Sequence, residues 1–174
     1  MRWLQLAAVF IIPVAAVALA LTFRGGDSKP PIAVSAQSGS YDAQVGTPLS
    51  VTAFVIVNNS KSTVTVTRVR YLQTDPGLSV IGALAYRGCS DCVADVAVPP
   101  KVTPATPDEA IPALLTVKNI ALKPREQITL LLSVAVSREG RVHVPRLRID
   151  VHTGSGVRFV ETLQGPALCA GKNC

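Results

Sequence analysis

The sequence predicts one all-β domain, an antiparallel β-sandwich, preceded by one N-terminal transmembrane helix. Residues 3–23 are apolar and carry no charge. Several later segments alternate apolar and polar residues with the period of a β-strand, and no segment after residue 25 keeps a helical period over a long run. The chain has 174 residues, and the roughly 140 that follow the apolar segment and its linker suit one domain with a single core.

The apolar segment "WLQLAAVFIIPVAAVALALTF" lies between Arg2 and Arg24. At about 1.5 Å per residue, a helix of this length reaches roughly 30 Å, the thickness of the hydrocarbon core of a bilayer. We therefore predict that residues 1–24 are a transmembrane helix and signal anchor. Cleavage at the small-x-small sequence of residues 18–20 is the alternative, but the apolar run continues past that site, which favours an uncleaved anchor.

The segment that follows, residues 25–31, is a predicted linker. Two glycines give it freedom, and Pro30 and Pro31 stiffen the approach to the first strand. Short N-terminal tails usually stay in the cytoplasm, so we expect the domain of residues 32–174 to be extracytoplasmic, on a protein that crosses the cell membrane once.

The first strong strand is "PLSVTAFVIVN", preceded by a shorter candidate, "IAVSAQ". Strict alternation predicts that the strong strand places five residues on one face: Leu49, Val51, Ala53, Val55 and Val57. In the next strand, "STVTVTRVRYL", the alternation slips, because Val64 and Val66 share a parity with Arg68 and Arg70. A β-bulge near Thr67 would restore it.

Four further candidate strands are "LSVIGALAY", "VADVAV", "ALLTVKNI" and "GVRFVETL", and two more have a clear apolar face. "ITLLLSVAVS" and "RLRIDVHT" are predicted as half-buried strands; in the second, Leu147, Ile149 and Val151 point inward. The proline-rich residues 99–112 are predicted as a long extended loop without a core pattern. The total is about eight or nine strands.

The segments "VGTPLSVTAFVIVNNSKSTVTVTRVRY" and "LKPREQITLLLSVAVSREGRVHVPRLRIDVHTGSGVRFVETL" resemble bacterial extracytoplasmic immunoglobulin-like domains of surface and accessory proteins. The shared features are a strand that ends in an Asn-Asn turn, a Leu-x-Pro turn before a strand of alternating aliphatic residues, and a final hairpin broken by glycine. The resemblance covers about two thirds of the chain. It implies an immunoglobulin-like sandwich and an extracytoplasmic location, and it carries no catalytic residue.

Four cysteines form two close pairs, Cys89 with Cys92 and Cys169 with Cys174. In an oxidising compartment they are disulfide candidates, and either local or crossed pairing is possible. The pairs would tie down a loop and the C-terminal tail. The alternative is a metal or thiol site that uses the same four cysteines, since four thiolates can hold zinc tetrahedrally.

No other motif implies catalysis, a cofactor or a small-molecule substrate. His143 and His152 are expected at the surface, Asp108 and Glu109 solvate a loop, and the sequon that begins at Asn58 more simply makes a turn. The 17 basic groups against 11 acidic ones are a modest excess, and with few aromatic residues between them we expect no nucleic-acid binding.

Together these observations predict a protein that is not an enzyme. It would be a membrane-anchored accessory or interaction subunit that binds a neighbouring membrane or envelope protein. The alternative is an envelope protein that handles metals or thiols through the two cysteine pairs.

Overall fold

A computed structural model describes residues 29–87, 93–94, 97–103 and 112–171 of the chain. The described strands are β1 (Ile32–Ala36), β2 (Ser40–Ala43), β3 (Pro48–Asn58), β4 (Val64–Leu72), β5 (Leu78–Arg87), β6 (Val93–Ala94), β7 (Val102–Thr103), β8 (Leu115–Thr116), β9 (Ile120–Leu122), β10 (Gln127–Val136), β11 (Gly140–His143), β12 (Arg146–Thr153), β13 (Gly156–Glu161) and β14 (Ala167–Ala170). The predicted all-β fold is confirmed for these residues. The predicted transmembrane helix, residues 1–24, lies outside them; within them, no helix has the length and apolar character that a membrane span requires.

The strands form a sandwich-like arrangement of sheets. A five-stranded sheet has the order β1-β3-β10-β5-β8, a four-stranded sheet the order β13-β12-β4-β9, and a small sheet the order β11-β14-β2. β6 and β7 pair with each other. Between the named strands the pairing is antiparallel, except that β14 and β2 run parallel.

The inner faces of these three sheets share one hydrophobic core. Phe54 and Ile56 of the five-stranded sheet, Ile149 and Val151 of the four-stranded sheet, and Leu168 of the small sheet are all completely buried in it. The inward positions predicted for β12 are therefore confirmed. Burial of this apolar surface is the main stabilising contribution to the fold.

The bulge predicted near Thr67 is present. β4 and β12 pair Val66 with Val151 and Arg68 with Asp150, so Thr67 is the extra residue. Its hydroxyl donates a hydrogen bond of 3.0 Å to the carbonyl oxygen of Asp150, which fixes the bulge. The extra residue reverses the alternation, because parity along a strand has a period of two.

A second bulge, in β3, was not predicted. β10 pairs Leu130 with Phe54 and Leu131 with Thr52, so Ala53 is unpaired in register. After Ala53 the alternation of the two faces is reversed. Phe54 and Ile56 are buried in the core, whereas Val55 and Val57 lie half-buried on the opposite face. The prediction that Val55 and Val57 share a face with Leu49 was therefore wrong.

The strand β10 is buried on both faces rather than on one. Leu131, on its outer face, packs with Tyr86 and Val102 in a second small cluster. Val102 belongs to β7, inside the region predicted as a loop without a core pattern, so that part of the prediction was wrong. Val102 is buried because it covers apolar surface of Tyr86 and Leu131 on the five-stranded sheet.

Two further segments differ from the sequence prediction. "ALLTVKNI" is not one strand: Asn119 has a positive φ of 54°, and the chain passes from β8 on the five-stranded sheet to β9 on the four-stranded sheet. The strands β2, β11 and β14 were not predicted at all. Each has four residues, too few for alternation to be recognised.

Candidate functional site

Cys169 lies on β14, and its sulfur is in a disulfide bond. Cys89, Cys92 and Cys174 fall outside the described residues, so the pairing of the four cysteines stays a prediction. Leu168 on one side of Cys169 is buried in the core, and successive residues of a strand point to opposite faces. The side chain of Cys169 therefore lies on the outer face of the small sheet.

The two histidines considered from sequence lie on different strands. His152 is exposed on the outer face of β12, and His143 is half-buried in β11. His143 lines an open cavity of about 360 Å³ together with Arg146. Across the described residues, no three His, Cys, Asp or Glu side chains are placed to hold a metal ion. Asp108 and Glu109 lie outside the described part of the chain.

Asn58, the first residue of the sequon, is completely buried. Its Nδ2 donates hydrogen bonds to the carbonyl oxygens of Ser62 at 2.8 Å and Leu122 at 2.9 Å. Its Oδ1 accepts a hydrogen bond of 2.9 Å from the backbone N–H of Ser60. A glycosylated asparagine must present its amide nitrogen at the surface, so the structure supports the turn-forming interpretation of this sequence.

Several charged side chains lie together on the outer face of the four-stranded sheet. We call it the arginine face, and it comprises Arg68, Arg70, Arg146, Arg148, Asp150, Phe159 and Glu161. The register sets Arg70 opposite Arg148 and Asp150 between Arg68 and Phe159. The Thr67 bulge creates this surface, because without the extra residue Arg68 and Arg70 would share the inward parity of Val64.

Asp150 organises the centre of the arginine face. Its side chain is only 9% exposed, and its two oxygens receive hydrogen bonds from Arg70 at 2.6 Å and Arg148 at 3.2 Å. Because each oxygen is bound to a different guanidinium, the carboxylate holds both arginines in place. Charge-assisted hydrogen bonds of this kind are stronger than neutral ones.

The remaining contacts leave the face with a positive balance. The guanidinium of Arg148 lies 3.7 Å from the ring centroid of Phe159, a cation–π contact. Arg146 pairs with Glu161 at 3.5 Å. Arg68 is exposed and makes no ion pair with any carboxylate of the described residues. Four arginines against two acids thus present excess positive charge beside an aromatic ring.

An open cavity of about 590 Å³ lies at one end of the same sheet, where β12 ends and β4 begins. We call it the end cavity. Its walls are residues 29–31, the β3–β4 turn (residues 59–62), the β12–β13 turn (residues 153–155) and Arg158. Lys29 and Lys61 bring two exposed cationic groups to the lining, and the part of the lining that the structure describes contains no Asp or Glu.

The buried tyrosines and Glu126 have structural roles. Burial raises the pKa of Tyr41, whose hydroxyl donates to the carbonyl oxygen of Thr52 at 3.1 Å, and burial also raises the pKa of Tyr86. Burial alone would raise the pKa of Glu126, but the backbone N–H of Lys123 and the guanidinium of Arg87 outweigh it and lower that pKa.

Comparison with known proteins shows distant similarity of structure alone. No family model matches this sequence, and no curated protein matches it. The Vibrio cholerae VesB protease is 12% identical over 80% of this chain and 32% of its own, with a TM-score of 0.43. PapD-like domain 7 of human CEP192 is 12% identical over 88% of this chain and 96% of its own, with a TM-score of 0.41.

A family 123 glycoside hydrolase from Clostridium perfringens is 9% identical over 79% of this chain and 23% of its own, with a TM-score of 0.38. The chain thus spans about a third or less of the length of the protease and the hydrolase. These similarities accompany the all-β sandwich-like architecture and assign no family.

Proposed function

We propose that this protein is a membrane-anchored, extracytoplasmic accessory subunit that binds a neighbouring membrane or envelope protein through the arginine face. It has an immunoglobulin-like sandwich, one N-terminal membrane helix and no catalytic activity. The partner surface is acidic, because the face carries four arginines and two acids. The arginine face is the observation that carries the proposal.

The composition of the face supports a role in recognition. Arginine and aromatic residues are enriched in protein interfaces and among the residues that dominate binding energy. Arg148 combines both features through its contact with Phe159. Since Asp150 holds Arg70 and Arg148 in fixed positions, these arginines lose less side-chain entropy when a partner binds.

The disulfide at Cys169 favours this proposal over the metal-handling and thiol-handling alternative. A sulfur in a disulfide bond has no thiolate to offer to a metal ion or to a substrate. The bond instead suits an oxidising compartment, which is the location that the predicted anchor implies.

The proposal is tested by charge reversal in the full-length protein, expressed in its native membrane and purified in mild detergent. Arg68→Glu should abolish co-purification of the partner, because it reverses an exposed charge of the face that no described carboxylate balances. The matched control is Arg141→Glu, since Arg141 is also an exposed strand residue but lies on β11 of the small sheet. Equal recovery of the same partner with both variants would contradict the proposal.

A further inference from the structure

The lining of the end cavity has the chemistry of a phosphate-binding site. Lys29 and Lys61 supply positive charge, and the hydroxyl groups of Ser62 and Ser155 belong to residues of the same lining. Lysine and arginine side chains form strong charge-assisted hydrogen bonds to phosphate oxygens. The volume of about 590 Å³ falls within the roughly 300–1,000 Å³ of small-molecule sites.

The two turns that form the walls are held by internal hydrogen bonds. The side chain of Asn58 ties the β3–β4 turn, as described above. In the β12–β13 turn, the hydroxyl oxygen of Thr153 lies 3.0 Å from that of Ser155 and accepts a hydrogen bond of 3.3 Å from the Ser155 backbone N–H. Lys61 and Ser155 therefore project from turns whose backbones are already ordered.

The position of the cavity beside the predicted anchor favours a membrane lipid as the source of the phosphate. The predicted membrane helix ends at Arg24, five residues before Lys29. Even a fully extended chain of this length spans at most about 18 Å, so Lys29 would lie within about 18 Å of the helix end. Lys29 and Pro31 line the cavity, and the Pro31 carbonyl oxygen accepts a hydrogen bond of 3.0 Å from Asn59 N–H. An anchored domain would thus carry this cavity next to the lipid headgroups.

We propose that the end cavity binds the phosphate group of an anionic membrane lipid. This inference rests on the proposed membrane anchor. Basic pockets at the membrane surface recognise anionic headgroups in this way. Binding would fix the domain relative to the bilayer and leave the arginine face, on the outer side of the same sheet, accessible from the side.

The test is hydrogen exchange, measured by mass spectrometry on the full-length protein in nanodiscs. One nanodisc contains phosphatidylcholine alone, a second adds phosphatidylglycerol, and a third contains phosphatidylcholine with inorganic phosphate in the buffer. We expect phosphatidylglycerol to slow exchange in residues 59–62 and 153–155 by about fivefold, the factor for a ligand at four times its Kd. Residues 73–75, at the opposite end of β4, should exchange at an unchanged rate.

The double variant Lys29→Gln, Lys61→Gln should lose this slowing, whereas Lys101→Gln, which changes an exposed lysine elsewhere, should keep it. Equal exchange with and without phosphatidylglycerol would overturn the proposal, as would slowing that survives in the double variant. Slowing by inorganic phosphate but not by phosphatidylglycerol would show a site for free phosphate and overturn the lipid assignment. If the chain does not insert into nanodiscs, both the proposed membrane anchor and the lipid assignment are contradicted. If the chain is inserted but hydrogen exchange is not slowed, only the proposed lipid site in the end cavity is refuted.

Discussion

Replacement of Asn58 by alanine should destabilise the domain far more than the same change at its neighbour Asn59. Asn58 is completely buried and its amide makes hydrogen bonds to Ser60, Ser62 and Leu122, whereas Asn59 is exposed. Each such bond contributes about 1 kcal/mol. The variant also leaves the buried carbonyl oxygen of Leu122 without its side-chain donor.

We therefore expect Asn58→Ala to lower the free energy of unfolding by about 3 kcal/mol and Tm by about 6–12 °C. Asn59→Ala should change the free energy by less than about 0.5 kcal/mol, as surface substitutions usually do. The assay is thermal unfolding of the full-length protein in detergent, followed by far-ultraviolet circular dichroism. Values within about 1 kcal/mol of each other for the two variants would refute the role assigned to Asn58.

Two further substitutions and one disulfide-mapping experiment test other parts of the structure. Asp150→Ala should cost about 1–2 kcal/mol by the same assay, because two opposed arginines lose the carboxylate between them; a cost below about 0.5 kcal/mol, as for an ordinary surface substitution, would contradict this. Glu126→Gln should cost about 0.5–1 kcal/mol near neutral pH. The native pKa of Glu126 lies below its ordinary value of 4.5, so its stabilising contribution is present above pH 4.5 and is lost as the pH falls through the native pKa. The free energies of unfolding of wild type and Glu126→Gln should therefore converge in acid. A difference that stays constant with pH would argue against the lowered pKa. Peptide mapping without reduction should detect a disulfide bond between Cys169 and Cys174, because the Cys169 side chain points outward and only four residues separate the two cysteines. A disulfide bond from Cys169 to Cys89 or Cys92 would refute this local pairing.

The strands of the core could be predicted from the sequence because their alternation is long enough to be recognised. β3 begins and ends at the predicted residues, and the parity slip in "STVTVTRVRYL" located the bulge at Thr67. The bulge at Ala53 left no such trace, because residues 54–57, which follow it, are all apolar and either parity satisfies the pattern. The small sheet escaped prediction because its strands are short.

The candidate site could be predicted from the sequence less well than the fold could. Arg68 and Arg148 are 80 residues apart in the chain, and among scattered basic residues nothing indicated that β4 and β12 would be neighbours. The relevant information was the Thr67 bulge, since it implied that Arg68 and Arg70 face outward. The end cavity depends on two turns and on residues 29–31, which only the tertiary structure brings together.

Site-specific photo-crosslinking in the native membrane tests the central claim most directly. A photoreactive residue would replace Val157, which is 71% exposed on the outer side of β13 beside the arginine face. In a matched control the photoreactive residue would replace Ile81, which is 54% exposed on the five-stranded sheet. The proposal predicts a crosslink to one membrane or envelope protein from position 157, which Arg68→Glu removes, and none from position 81. Crosslinks to the same protein from both positions, or a crosslink from position 157 that survives Arg68→Glu, would contradict it.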